Sequence, residues 1–146
     1  MNKVVKSGFT LIELLVVVAI IGVLTAVLLV NLVGIRERGA DAKKKSDLNQ
    51  VKNALRLYYN DNQSYPASSN GAIMGCGSNG DAACSEGSDL GNSDTTYMKS
   101  LPEYTAYTSD GETFSIGIVL NNESDQEAAD SVARCGVIAQ PGVFFV

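Results

Sequence analysis

The sequence predicts an α+β protein: a long N-terminal helix, membrane material in its first half and amphipathic in its second, packed on a small antiparallel β-sheet. Three observations carry this. From Leu14 to Val30 no side chain is charged and only Thr25 is polar. Further on, Leu48, Val51, Leu55 and Tyr58 recur at i, i+3, i+7 and i+10, one apolar stripe on a helix, with Lys44, Asp47, Asn49, Lys52 and Arg56 lying off it. Beyond Leu101, two stretches rich in β-branched and aromatic residues flank Ser109-Asp110-Gly111-Glu112, the signature of a hairpin.

The first element is the apolar helix. Helical residues 9–33 would rise roughly 37 Å at about 1.5 Å each, enough to cross a hydrocarbon core about 30 Å thick with some tilt. A secretory signal peptide would end in a small-residue cleavage site beyond its apolar core. Here Ser7-Gly8 closes a short leader carrying Lys3 and Lys6, ahead of the apolar run. A cut after Gly8 therefore keeps the hydrophobic segment and frees an amine on Phe9, four residues before Glu13. A carboxylate in an apolar helix is costly, about 2–3 kcal/mol at the bilayer centre and less near the interface. Glu13 either reaches back to the headgroup region or takes that new amine as its partner, on its own chain or on a neighbouring copy.

Gly8-Phe9-Thr10-Leu11-Ile12-Glu13-Leu14 resembles the cleavage and methylation site of bacterial type IV pilins and type II secretion pseudopilins. The resemblance implies a prepilin peptidase that cuts after Gly8 and methylates the amine of Phe9. It also implies that Glu13 pairs with the terminal amine of an adjacent subunit during filament assembly. Many members carry a proline eight residues after the Gly22 position, where this chain has Val30. Unwinding of this segment on assembly is therefore not carried over.

Length and charge bound the rest. Of 146 residues, those after the leader and apolar run allow one small soluble domain. The net charge is −5, and loss of Lys3 and Lys6 makes the remainder more acidic, so nucleic acid is not an indicated partner. There is no histidine, and neither a phosphate loop, a CxxC pair nor a nucleophile elbow is found. Enzymatic activity and a cofactor are not expected. Charge counting does not orient the membrane segment, because Arg36, Arg38 and Lys43 to Lys45 follow it as closely as Lys3 and Lys6 precede it. The resemblance sets the N-terminus in the cytoplasm, and the later cysteines suit an oxidising exterior.

The amphipathic half of the helix is expected to run on to about Asn62, giving about 80 Å of helix from Phe9. Gly22, Gly34 and Gly39 are its candidate weak points or bends. Tyr58-Tyr59-Asn60-Asp61-Asn62-Gln63-Ser64-Tyr65-Pro66 resembles the helix-ending segment of the same family, and Pro66 pushes Tyr65 out of helical geometry. The three tyrosines read as packing residues, with an aromatic relay as the alternative.

From Ser64 to Asp94 the density of Ser, Gly, Asn and Asp predicts a loop rather than an element. Of its cysteines, Cys76–Cys84 is the pair close in sequence. A link to Cys135, the remaining cysteine, would close a longer loop with a larger entropic gain. The expectation is a Cys76–Cys84 disulfide. Cys-x7-Cys spacing without histidine does not suit a metal, and Asp81, Glu86, Asp89 and Asp94 do not fit an EF-hand, so they read as solvated turn residues and no metal site is assigned. Major pseudopilins hold calcium in a C-terminal loop, but their ligand pattern does not map onto this chain.

The hairpin strands are expected at Tyr104–Thr108 and Thr113–Leu120, with Phe114, Ile116, Ile118 and Leu120 facing the helix stripe. Ser124 and Glu127 suggest a capping box opening a short helix through Val132. Val137–Ala139 and Val143–Val146 are candidate edge strands.

The organisation expected is thus a leader at 1–8, a transmembrane and assembly helix at 9–33, and a soluble head at 34–146 that includes the helix to about 62. The function expected is a structural subunit of a type IV pilus-like filament, anchored in the inner membrane and then extracytoplasmic. Its partners would be identical subunits, a prepilin peptidase and an inner-membrane assembly platform. A type II secretion pseudopilin is the alternative within the resemblance, and a non-assembling single-pass protein with a binding head is the alternative outside it.

Overall fold

The computed structural model describes residues 8–136 and 142–146, the side chains of 27–33 excepted. The chain divides into two compact units, Met1–Arg36 and Glu37–Val146, and α1 (Leu11–Asn62) contributes to both. Gly22, Gly34 and Gly39 all lie within the helix, and a methyl group at any of them would meet nothing within 4 Å.

In the first unit the apolar side chains of α1 stand in the open, Leu11 86% and Ile12 75% exposed. Among the described residues no helix is long and apolar enough to cross a membrane. The side chains of 27–33, which continue the apolar run, are outside that statement.

The second unit is α+β, as expected. Leu48, Val51 and Leu55 are fully buried, and they share one core with Ile73, Leu90, Leu101, Tyr107 and Ile116. The helix ends where Asn and Pro compete with it: the Asn62 amide donates to the Tyr58 carbonyl (2.9 Å), and Gln63 turns into the left-handed region at φ 55°. The tyrosines pack. Tyr58 leans on Tyr97 with centroids 5.2 Å apart, and Tyr65 is 4.6 Å from both Tyr59 and Phe114.

Two antiparallel sheets, rather than one, cover the helix. The first has the order β1-β2-β4-β5, with β3 also paired to β2. Its strands are β1 (Ala67–Ser69), β2 (Ala72–Cys76), β3 (Ala82–Ala83), β4 (Leu90–Gly91) and β5 (Thr96–Met98). This corrects the loop expected over Ser64–Asp94. The turn formers there separate strands too short to show a period, while Ile73 and Leu90 anchor them in the core. Tyr104 ties the segment together, its hydroxyl accepting from the Ile73 amide (3.2 Å) and donating to the Cys84 carbonyl (2.9 Å). Cys76 and Cys84 are disulfide-bonded, and Cys135 is a free, exposed thiol. Non-reducing peptide mapping should recover Cys76 joined to Cys84. Cys84→Ser should cost about 2.5 kcal/mol of unfolding free energy, the entropy of a closed loop of this length. Cys84 linked to Cys135 would refute the pairing.

The second sheet is β6-β7-β8: β6 (Ala106–Ser109), β7 (Phe114–Val119) and β8 (Val143–Phe145). The hairpin pairs Ser109 with Phe114 and Tyr107 with Ile116. Its turn is held by Asp110, whose carboxylate accepts from the amides of Glu112 (3.0 Å) and Thr113 (2.6 Å). These bonds hold the Asp110 carboxyl below its usual range. Ile116, Ile118 and Leu120 are buried, as their alternation predicted. Burial pushes the Tyr107 phenol up to about 12, and its hydroxyl donates to the Pro66 carbonyl (2.9 Å). The Val137–Ala139 edge strand lies outside the described residues; β8 occupies the other expected position.

Helix α2 (Gln126–Cys135) begins one residue later than a Ser124 cap would place it and runs past Val132 to a left-handed Gly136. The cap is Asp125, which accepts from the Ala128 amide (3.0 Å). Asp125 prevails because its charge is also answered by Lys45 of α1, 2.7 Å away, whose ammonium lies 2.9 Å from Glu127 as well. The lysine hydrogen bond outweighs burial and lowers the Asp125 carboxyl. Burial opposes the Lys45 charge, but the two carboxylates win and raise its pKa. Since the acid is depressed and the base raised, the pair contributes fully between about pH 5 and pH 9. It is lost as pH falls through the lowered carboxyl value or rises through the raised ammonium value. Asp125→Ala should cost about 2 kcal/mol in that window and less below about pH 3, read by urea unfolding of the detergent-solubilised chain across pH.

A second link from helix to sheet passes through Asp41, 3% exposed. Its carboxylate accepts from the amides of Asn121 (2.8 Å) and Asn122 (2.9 Å), fixing the connection after β7.

Candidate functional site

The residues singled out by the sequence meet at the start of α1. Gly8 and Phe9 are in non-helical chain immediately ahead of it, both exposed, Phe9 at 81%. Among the described residues, a Cβ on Gly8 would meet nothing within 4 Å. Residues 1–7, the rest of the expected leader, lie outside the described residues.

Glu13 already has a partner in the single chain. Its carboxylate oxygen accepts from both the amide and the hydroxyl of Thr10, each at 2.9 Å. The Thr10 hydroxyl oxygen in turn accepts from the Glu13 amide at 3.3 Å. This reciprocal pair is a capping box, in which the threonine satisfies one free amide of the first turn and the glutamate another. Sequence reasoning passed over Thr10, although Thr-x-x-Glu before an apolar run was the signal. The same signature was assigned to Ser124 and Glu127, where the structure uses Asp125 instead. The carboxylate is also at the helix N-terminus, where the macrodipole favours negative charge.

The arrangement offers no reaction chemistry of its own. Glu13 and Thr10 hold each other, Phe9 is apolar, and among the described residues no three His, Cys, Asp or Glu side chains are grouped to hold a metal ion. What it presents is an exposed Gly–Phe junction, an apolar helix and a carboxylate held by Thr10.

The described residues define the class of chain: an exposed Gly–Phe junction, an apolar N-terminal helix and an α+β unit downstream. The prokaryotic N-terminal methylation motif matches residues 5–29. Over 71 residues the chain is 41% identical to type II secretion system core protein G of Aeromonas hydrophila, a match covering 49% of this chain and 50% of that one. It is 44% identical over 66 residues to core protein G of Escherichia coli K12, covering 45% and 46%. The type IV wide pilus major component PilA4 of Thermus thermophilus is 44% identical over 71 residues, covering 49% and 53%. The chain is thus similar, over about half of its length, both to type II secretion pseudopilins and to a type IV pilus component. The chain spans about half the length of the curated relatives it matches. No solved structure matches it.

Proposed function

We propose that the chain is a structural subunit of a type IV pilus-like filament, cut by a prepilin peptidase between Gly8 and Phe9, methylated on the Phe9 amine and polymerised through α1. The observation that supports this most directly is the methylation motif over residues 5–29, set on an exposed Gly–Phe junction ahead of a helix whose described apolar side chains from Leu11 to Leu24 are exposed. Residues 1–8 are then the leader, 9–33 the membrane and assembly helix, and 34–146 the extracytoplasmic head. Before assembly the subunit sits in the inner membrane with its N-terminus in the cytoplasm, beside an assembly platform, and afterwards it is part of a filament of identical subunits. Glu13 is the assembly residue: it exchanges Thr10 for the Phe9 amine of a neighbour, trading hydrogen bonds for an ion pair in an apolar setting.

A second reading, a pseudopilin of a type II secretion system, is favoured by the identity to core protein G from several bacteria over about half of the chain. The two differ in where the filament ends. Surface filaments sheared from cells, with this chain as main component, support the pilus. Loss of protein secretion on deletion, without surface filaments, supports the pseudopilus. A membrane pool that never assembles would leave a single-pass protein with a binding head.

The processing step has its own test. Mass spectrometry of assembled or membrane-extracted protein should find a chain beginning at methylated Phe9. An intact Met1 would remove the basis of the assignment.

A further inference from the structure

The head carries a basic groove in a molecule whose net charge is −5. Its walls are the Lys52 and Arg56 face of α1, the Arg134 end of α2, and Phe144 to Val146 at β8. Lys52 and Arg56 are four residues apart on one helix, a like-charge spacing that costs the isolated helix a few tenths of a kcal/mol. No described acid forms an ion pair with either of them. Glu127 lines the groove, but its carboxylate is 2.9 Å from Lys45, which is shared with Asp125. Asp130, one turn before Arg134, instead accepts from the Gln126 amide at 3.0 Å. Among the described residues Lys52, Arg56 and Arg134 form no ion pair, and residues 1–7, 27–33 and 137–141 contain no Asp or Glu that could supply one.

The complementary charge is elsewhere on the same head. Between Arg56 and Lys99 the sequence has no cation, and Asp81, Glu86, Asp89 and Asp94 are all exposed. This segment belongs to the first sheet, while the groove borders β8 at the end of the second. It is also held in shape: the Cys76–Cys84 disulfide closes one end, and the Asn92 side chain accepts from the amides of Asp94 (3.0 Å) and Thr95 (2.8 Å) at the other. A preformed acidic surface loses little entropy on docking.

We infer that the groove of Lys52, Arg56 and Arg134 receives the acidic 81–94 segment of a second copy of this chain. Patch and counter-patch are different surfaces of one subunit, so the contact is heterologous. Each copy that docks leaves one groove and one acidic segment open, and the series does not close unless the rotation happens to make a ring. The head thereby adds a second constraint on register to an assembly otherwise held by the apolar helix and its Glu13 pair, because charge complementarity selects orientation more than it adds affinity. This inference rests on the filament reading in taking the second copy as the occupant.

Cys135, free, exposed and on the groove wall, is a built-in reporter. Ser93→Cys places a second exposed thiol among the acids. In the native host, mild oxidation of the full-length Ser93→Cys chain should give, on non-reducing gels, a ladder of dimer, trimer and higher species, at least about tenfold stronger than in wild type. Adding Cys135→Ser should abolish it. Arg56→Glu with Arg134→Glu should weaken the ladder about tenfold, and adding Asp89→Lys with Asp94→Lys should restore most of it. A product that stops at dimer, a ladder insensitive to charge reversal, or none in material that contains filaments would overturn the groove assignment and leave the filament reading standing. A charge-dependent ladder in membranes that never yield filaments would keep the groove and overturn the filament. Absence of both would overturn both. Cysteine and charge variants are compared at equal content of Cys76–Cys84-bonded protein, so a folding defect is seen as such.

Discussion

Glu13→Gln should lower filament yield by at least about thirtyfold while leaving the membrane pool, the cut after Gly8 and the fold of the head unchanged. The magnitude is what truncating one partner of a desolvated, hydrogen-bonded charge pair costs an interface. The structure makes glutamine the more informative substitution, because the Glu13 side chain is one arm of a capping box with Thr10. Glutamine serves that position as well as glutamate, so the helix start is kept and only the charge is lost. Glu13→Ala removes both. If the carboxylate acts by pairing with a neighbour's amine, the two variants should be nearly equally poor. Were Glu13 only a cap, glutamine would assemble normally and alanine alone would fail. The comparison is filament yield against membrane pool for wild type and both variants in the native host. Normal yield from Glu13→Gln would end the electrostatic account of assembly.

Leu55→Ala should do the converse, lowering the stability of the head by about 3 kcal/mol and the amount of protein in the membrane with it. Leu55 is fully buried on the face of α1 that meets Ile73, Leu90, Tyr107 and Ile116, elements from both sheets. A cavity there has no single loop that could relax into it, and Leu→Ala costs at fully buried sites run from about 2 to 5 kcal/mol. A head of this size has only a margin of about 5–15 kcal/mol, so the loss should register in proteolysis and in urea midpoints of detergent-solubilised protein. What does fold should still enter filaments in proportion to its pool. A value below about 1 kcal/mol would show that the helix is a spectator to the sheets.

The parts read correctly from the sequence are those whose signal is local. The apolar run, the Leu48 to Tyr58 stripe, the helix end before Pro66 and the Asp-Gly hairpin are set by periods and turn chemistry within a few residues. The N-terminal methylation motif was legible for the same reason, being contiguous. The segment from Ser64 to Asp94 was not. Strands of two to five residues have no measurable period, and Ile73 and Leu90 look like isolated apolar residues in a polar loop until Tyr104 and the helix are placed against them. The α2 cap was misplaced because Ser124 and Asp125 are both good caps by residue type.

The sequence by itself determined that this chain has an apolar helix behind a Gly–Phe junction, a single interior glutamate, an amphipathic continuation and a β-rich head. Each of these follows from charge, period or turn preference along the chain. Tertiary structure alone decided which cap opens α2, that the head uses two sheets, and which charges are left unanswered. Lys45, Lys52, Arg56 and Arg134 look equivalent in sequence. Only packing brings Asp125 and Glu127 to Lys45 and leaves the other three facing a groove whose one described acidic side chain, Glu127, is already taken by Lys45, since an ion pair depends on separation in space, over which sequence distance has no hold.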